Sequence, residues 1–312
     1  MAERAASNQQ INDILPMKRV ALFLGTNLAI IVVASITLSL LGVGSFLDET
    51  GTNLNLQALL IFCFVFGMLG SGISLLLSKK IAKWTTNLEL IEEPRNEQEK
   101  WLLRTIEEQA RDAGIGMPEV GIFPAQQANA FATGANRNKA LVAVSEGMLQ
   151  RFDREEIKAV LGHEVGHVAN GDMITLALIQ GVVNTFVMFI ARIIGFAVDR
   201  VILKNEQGLG IGYFITTIAA EIVLAILAST IVFWFSRRRE FHADVAGARL
   251  GSRNGMIAAL QRLQTETEVP NQLPDGMQAF GITSGKKKGF KALFTTHPPL
   301  EERIEALRNM SD

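Results

Sequence analysis

The chain has 312 residues, 48% of them hydrophobic, and a positive mean hydropathy of +0.24, which is high for a soluble enzyme of one or two domains. Lys and Arg number 30 and Asp and Glu 31, and no basic stripe interleaved with aromatic residues is present, so composition indicates no nucleic-acid partner. Cys63 is the single cysteine, which excludes disulfides within the chain and thiolate metal sites and leaves His, Glu and Asp as metal ligands.

Two long apolar segments lie near the N-terminus. Residues 20–46 and 51–78 contain no charged side chain, and each exceeds the roughly 20 apolar residues that cross a bilayer as a helix. Lys18 and Arg19 precede the first segment and lysines follow the second, whereas the loop between them has no Lys or Arg. The positive-inside rule therefore predicts that both ends of this hairpin are cytoplasmic. A cleaved signal peptide is the alternative for 20–46, and the length of the segment argues against it.

The following region has the mixed pattern of a catalytic domain. Residues 97–113 show the apolar periodicity of an amphipathic helix. Short apolar runs at 119–123 and 140–145, separated by turn residues, predict two strands. A small sheet beside the next helix is α+β architecture.

That next helix carries the sequence H-E-x-x-H. Side chains four residues apart lie on one helical face, so His163 and His167 can bind one metal ion, and Glu164 can take a proton from a metal-bound water. Asp153 and Glu156 are spaced as a capping box at the start of the helix. The alternative is an ordinary amphipathic helix with two surface histidines.

Two further apolar segments, 173–198 and 209–236, each contain one charged residue, Arg192 and Glu221. Ionisable groups are costly in a bilayer and normally face a partner or water. If the segments form a spanning hairpin, this pair is expected to approach across it. The alternative is that both helices pack partly into the catalytic domain or line a wet cavity.

A third metal ligand must come from elsewhere, because catalytic zinc usually has three protein ligands and a water. Asn170 and Met173 stand where a metzincin would need Gly and His or Asp, so that class is excluded. Glu240 is the best candidate, and Asp244, one helical turn later, is predicted to accept a hydrogen bond from a ligand histidine. The alternative for Glu240 is a salt bridge with the arginines at 237–239.

Four ordered motifs and four apolar segments closely resemble the HtpX family of bacterial membrane zinc endopeptidases, which is related to the CAAX prenyl proteases and the mitochondrial Oma-type protease. The motifs are H-E-V-G-H-V-A-N-G-D at 163–172, E-F-H-A-D at 240–244, N-A-F-A-T-G at 129–134 and T-H-P-P-L at 296–300. The resemblance implies a gluzincin fold, one zinc ion bound by His163, His167 and Glu240, Glu164 as the base, and a cytoplasmic active site.

The resemblance also implies roles for three residues outside the ligand set. Asn129 and Ala130 would hold the backbone of an extended substrate on an edge strand, with a simple turn as the alternative for Asn129. His297 would stabilise the oxyanion or shape the site. Because prolines follow it, His297 could equally be a helix-start residue.

The predicted protein is a mostly helical α+β membrane enzyme with about four transmembrane helices and a zincin-like domain with a small sheet. The predicted parts are a polar leader at 1–16, either disordered or not native, a transmembrane hairpin at 17–80, the first catalytic part at 81–172, a second hydrophobic hairpin at 173–236 and the second catalytic part at 237–312.

The predicted function is zinc-dependent endoproteolysis of damaged or misfolded membrane proteins, in the stress response of the bacterial inner membrane. The resemblance implies a multi-pass protein with a cytoplasmic N-terminus, unfolded polypeptides and membrane proteins as substrates, and overlap with the AAA membrane protease. The alternatives are a CAAX-type prenyl endoprotease, which would need prenylated substrates, and a non-enzymatic membrane scaffold that uses the metal structurally.

Overall fold

The computed structural model describes residues 55–205, 208–266 and 297–310, and the predicted leader and first apolar segment lie outside this part of the chain. In chain order its elements are α1 (Leu56–Thr85), β1 (Glu89–Leu90), α2 (Glu97–Asp112), β2 (Glu119–Phe123), β3 (Ala130–Thr133), a 3₁₀ turn (Arg137–Lys139), β4 (Leu141–Ser145), α3 (Glu146–Arg151), α4 (Arg154–Asn170), α5 (Asp172–Ala197), a π-helical turn (Val198–Ile202), α6 (Ile211–Leu250), α7 (Arg253–Thr265) and α8 (Leu300–Arg308).

Three helices within the described residues are long and apolar enough to cross a membrane, namely Leu56–Thr85, Asp172–Ile202 and Ile211–Leu250. Many of their Leu, Ile, Val and Phe side chains are exposed, which suits contact with lipid. They correspond to the second, third and fourth predicted apolar segments. The last of them continues past residue 236 without a break, so the apolar run and Glu240 lie on one helix, α6.

The chain forms two compact units. Within the described residues, one comprises 55–66 and 184–222, and the other comprises 67–183 and the described part of the chain from 223 onward. In the first unit, Leu60, Cys63 and Phe189 form a small buried cluster. In the same unit, Nη1 of Arg192 donates a hydrogen bond to Oε1 of Glu221 at 2.9 Å. This contact confirms the predicted pairing of the two charges.

The second unit contains a mixed four-stranded sheet in the order β1-β2-β4-β3. β2 and β4 are parallel, with Val120 opposite Val142, while β3 runs antiparallel to β4, with Phe131 opposite Ala143. The strands predicted at 119–123 and 140–145 are confirmed. Because β3 is an outer strand of the sheet, one of its edges is directed away from β4.

Helices α2, α4 and α7 share the main hydrophobic core with this sheet. Leu102 and Ile106 of α2, Val160 and Leu161 of α4, and Leu260 of α7 are fully buried in it. The helix predicted at 97–113 is confirmed and ends at Asp112. The α+β architecture predicted from the sequence is therefore observed.

Helix α4 begins and ends at local signals. The Asp153 side chain accepts from the Glu156 N–H at 3.0 Å, and the Glu156 side chain accepts from the Asp153 N–H at 3.0 Å, which is the predicted capping box. Gly171 ends the helix with a φ of 69°, a left-handed conformation that glycine adopts at little cost. Asp172 then begins α5 immediately, which keeps its side chain close to the last turn of α4.

Candidate metal centre

Three ligand-type side chains converge between α4 and α6. Nε2 of His163 lies 3.2 Å from Nε2 of His167 and 3.6 Å from Oε2 of Glu240. Nε2 of His167 lies 3.4 Å from Oε1 of Glu240. The sequence left a salt bridge between Glu240 and the arginines at 237–239 as the alternative. Arg239 does not form it, because its Nη1 donates to the backbone carbonyl of Asp172 at 3.1 Å. The structure thus brings together the three residues that the sequence predicts as metal ligands.

The spacing and chemistry of these atoms fit zinc. Bonds of about 2.0–2.2 Å at tetrahedral angles place neighbouring ligand atoms about 3.3–3.5 Å apart. The observed separations run from 3.2 to 3.6 Å. Two imidazoles and one carboxylate form a recurrent catalytic zinc set, whereas Ca²⁺ and Mg²⁺ prefer oxygen ligands alone.

Two carboxylates orient the imidazole rings. Nδ1 of His163 lies 3.0 Å from Oδ1 of Asp244, where the sequence predicts a contact with a ligand histidine. Nδ1 of His167 lies 2.6 Å from Oδ2 of Asp172. Since a carboxylate accepts, each Nδ1 donates, and the two Nε2 atoms are left to share either one proton or one cation.

The ionisation of the two rings differs in the absence of a metal ion. Burial lowers the pKa of His163 to about 4. Burial also disfavours the charged form of His167, but hydrogen bonds to Asp172 and Glu240 outweigh it and raise the pKa of His167 to about 10. A metal ion and a proton therefore compete for Nε2 of His167.

Glu164 lies beside the ligand set and is 1% exposed. The backbone N–H of Ala132 in β3 donates to its carboxylate, and burial raises the pKa of Glu164 to about 8. Its Oε2 atom has no hydrogen-bond partner among the described residues. A buried carboxyl group with one free oxygen and a pKa near neutral is suited to accepting and returning a proton.

Two basic side chains from the C-terminal region reach the same acidic groups. Nε of Arg303 donates to Oδ2 of Asp244 at 2.8 Å and Nη2 donates to Oδ1 at 2.6 Å. Burial lowers the pKa of Arg303, but the Asp244 carboxylate outweighs it and the net pKa is raised. Nδ1 of His297 lies 2.8 Å from Oε2 of Glu240, without the alignment of a hydrogen bond. The N-cap of α8 is Pro299, so the helix-start alternative for His297 is not observed.

Glycines allow α4 and α6 to approach closely at this centre. A Cβ atom on Gly166 would lie 2.4 Å from Cβ of Ala246, and one on Gly247 would lie 2.7 Å from the carbonyl oxygen of Ala159. Real Cβ atoms essentially never approach other atoms this closely. The absence of side chains at these positions lets Glu240 on α6 reach the histidines on α4.

The predicted substrate-binding residues lie where β3 begins. Asn129 is buried, its carbonyl accepts from the Ser145 N–H at 2.9 Å, and its Oδ1 accepts from the N–H of Ala130 at 2.9 Å. Ala130 is the first residue of β3. Asn129 therefore leads directly into a strand and not into a turn. The role of Asn129 in holding a substrate stays a prediction.

The sequence alone predicts no role for Asp172 or Arg303. Asp172 directly follows Gly171, the predicted end of the zinc helix, and this position close to His167 was a signal for a contact. Arg303 carried a weaker signal, because it lies on the same helical face as Leu300, Ile304 and Leu307, where a charged residue interrupts an apolar stripe. Neither signal identifies the partner.

Comparisons with known proteins place this chain in a peptidase family. A family model described as peptidase family M48 matches residues 96–311. Protease HtpX of Hahella chejuensis is 66% identical over 291 residues, with 93% of this chain and 99% of that protein covered. Protease HtpX of Pseudomonas savastanoi pv. phaseolicola is 63% identical over 292 residues, with 94% and 99% covered. The crystal structure of S. mikatae Ste24p has a similar fold, with a TM-score of 0.58, 18% identity, and coverage of 88% of this chain and 64% of that one.

Proposed function

The chain belongs to peptidase family M48. We propose that it is a zinc-dependent endopeptidase of the bacterial cytoplasmic membrane that cleaves damaged or misassembled membrane proteins. Family membership makes it a metalloprotease, and its long apolar helices make it a membrane protein. One observation supports the proposal most. The ligand atoms of His163, His167 and Glu240, two ring nitrogens and a carboxylate oxygen, lie within 4.8 Å of one another, next to the buried Glu164.

The proposed chemistry divides the roles among few residues. His163, His167 and Glu240 would hold the ion, and zinc when bound polarises the scissile carbonyl and lowers the pKa of a water molecule. Glu164 accepts a proton from the attacking water at its free Oε2 atom and returns it to the leaving amine. We assign the stabilisation of the oxyanion to His297, since its buried Nε2 atom has no hydrogen-bond partner among the described residues.

An extended peptide bound along β3 would pass this chemistry. β3 is an outer strand of the described sheet, and the N–H of Ala132 reaches the Glu164 carboxylate. A substrate strand paired with the same edge would therefore present its carbonyls near Glu164, while Asn129 and Ala130 would hold its backbone further along the strand. Recognition through the main chain suits an endopeptidase that acts on many unfolded segments.

The proposed topology places the catalytic unit and the N-terminus in the cytoplasm. Lys79, Lys80 and Lys83 lie in the last part of α1, and the arginines at 237–239 precede Glu240 on α6. Positive residues at the ends of the apolar stretches of these helices favour the cytoplasmic side. Cysteines introduced singly at 199–205 should react with a membrane-impermeant thiol reagent from the periplasm, against the background of the buried Cys63. Reaction only from the cytoplasm would exclude this topology.

The function is tested by cleavage of an unfolded membrane protein in detergent. Wild type should cleave it only with zinc, chelation should stop cleavage, and Glu164→Gln should be inactive. Glu155→Gln is the matched control, since Glu155 is exposed on the same helix. Cleavage by the Glu164 variant at the wild-type rate would overturn the assignment.

The same assay separates the rival substrate class. A CAAX-type prenyl endoprotease would cleave a prenylated peptide and leave the unfolded membrane protein intact. We expect the opposite preference for this enzyme, and overlap of its substrates with those of the AAA membrane protease. A preference for the prenylated peptide would exclude the proposed role in membrane-protein quality control.

A further inference from the structure

Arg303 joins the two acidic residues of α6 that serve the metal centre. Its Nε and Nη2 atoms donate a bidentate pair of hydrogen bonds to the Asp244 carboxylate, at 2.8 and 2.6 Å. Its Nη1 atom lies 3.5 Å from Oε2 of Glu240. The Arg303 side chain is 0% exposed and the two acidic side chains are 2% exposed, so water does not screen these contacts.

We propose that Arg303 is a positioning residue of the metal site, an inference that rests on the proposed zinc-protease function. Its planar guanidinium fixes the plane of the Asp244 carboxylate. That carboxylate in turn holds Nδ1 of His163 at 3.0 Å and so directs Nε2 of the ring toward the ion. In this proposal Arg303 acts on the ion through Asp244 and is not itself a ligand.

The C-terminal helix α8 has other attachments that explain its docking without Arg303. Ile304 and Leu307 are buried in the main core, and Leu300 packs against it. Arg253 of α7 donates to the backbone carbonyl of Leu307 at 2.7 Å and also to that of Arg308. Arg303 faces the acidic pair instead, so its placement in the core is accounted for by Asp244 and Glu240.

Two opposite effects on metal affinity can be separated. As a charge, Arg303 offsets the negative charge of Asp244 and Glu240 and should weaken zinc binding. Through its bidentate hydrogen bonds, the planar guanidinium holds the Asp244 carboxylate in one orientation and should strengthen zinc binding. Lysine at this position keeps the charge but cannot make the bidentate contact, so Arg303→Lys isolates the orienting effect.

The test measures zinc dissociation constants by competition with a chromogenic chelator, on the full-length protein in detergent with Glu164→Gln present in every variant to prevent autolysis. We expect Arg303→Lys to raise the zinc Kd by about 10–100-fold, the usual effect of losing a partner that orients a ligand. Arg253→Met, which loosens α8 away from the site, should leave the Kd within about twofold of the parent protein. An unchanged Kd for Arg303→Lys, or an equal increase for Arg253→Met, would overturn the proposal.

A double-mutant cycle with Asp244→Asn tests the route of the effect. If Arg303 acts through Asp244, Arg303→Lys should change the Kd less than about twofold in the Asp244→Asn background. An increase as large as in the parent would show that Arg303 acts by another route and would overturn the proposal. Arg303→Lys keeps a cation beside the Asp244 carboxylate, so the variant is expected to fold.

These outcomes are distinct from a failure of the proposed function. A parent protein that does not bind zinc, or a wild type that binds zinc but cleaves no peptide bond, would defeat the zinc-protease proposal before any variant is compared. A parent that binds zinc with an Arg303→Lys variant that binds it equally well would defeat only the role of Arg303.

Discussion

Replacement of Gly166 by alanine should separate α4 from α6 and open the metal centre. The added Cβ would lie 2.4 Å from Cβ of Ala246, whereas ordinary contacts begin near 3.4 Å. Neither atom can rotate away, because each Cβ is fixed by its own helical backbone. The two helices must therefore move apart by about 1 Å at this point, close to His163 and His167.

A displacement of this size matters because zinc sites tolerate changes in bond length of only about 0.2 Å. Glu240 lies 3.4 and 3.6 Å from the two histidine nitrogens, so a shift of about 1 Å between the helices takes its carboxylate out of bonding range. We expect the zinc Kd to rise by about 100-fold or more, since loss of an orienting partner alone costs about 10–100-fold. Overpacking should also lower the free energy of unfolding by about 1–3 kcal/mol.

The assay compares zinc Kd by chelator competition and thermal unfolding in detergent, with Glu164→Gln present throughout. Ala246→Gly should reverse the effect of Gly166→Ala, because the next atom near the new Cβ is Cα of Ala243 at 3.6 Å. Gly72→Ala is the matched control, since nothing lies within 4 Å of its added Cβ and the gain in helix propensity is the same. A Gly166→Ala protein with the parent Kd and the parent unfolding temperature would show that the close contact between α4 and α6 does not hold the metal centre together.

Three further predictions concern single contacts. Glu164→Gln should abolish cleavage and keep the zinc Kd within about twofold of the parent value, because Glu164 is the base and not a ligand. Glu240→Ala should raise the zinc Kd, because Glu240 is a ligand. Chelator competition that shows weaker zinc binding only for Glu164→Gln would contradict both assignments. Asp172→Asn should raise the zinc Kd by about 10–100-fold because the ligand histidine beside it loses its acceptor, and an unchanged Kd would make that contact incidental. Arg192→Met should lower the unfolding temperature in detergent, with a coupling to Glu221→Gln of about 0.5–2 kcal/mol in a double-mutant cycle, and strict additivity would contradict the pairing.

Much of the site was predictable because its signals are local. The four-residue spacing of His163 and His167 needs only helix geometry to align two imidazoles, and the capping box at Asp153 needs only its own first turn. Glu240 and Asp244 were predicted from their turn-apart spacing and from the need for a third ligand. Their contact distances with the histidines could not be predicted, because about 70 residues of chain separate Glu240 and Asp244 from the end of α4 at Asn170.

The kind of protein is readable from the residues alone, which show apolar segments of membrane-spanning length, a helix with the zinc-protease motif, and a few candidate acidic ligands. Helical and strand periodicity record interactions between near neighbours, so these features are readable residue by residue. Three features are visible only in the folded chain: β3 lies at an edge beside Glu164, Asp172 and Arg303 face the metal centre, and Gly166 packs against Ala246. Those contacts depend on how segments distant in sequence pack against each other. In such packing, one methyl group can set the distance between two helices, and a buried charge is stable only beside its partner.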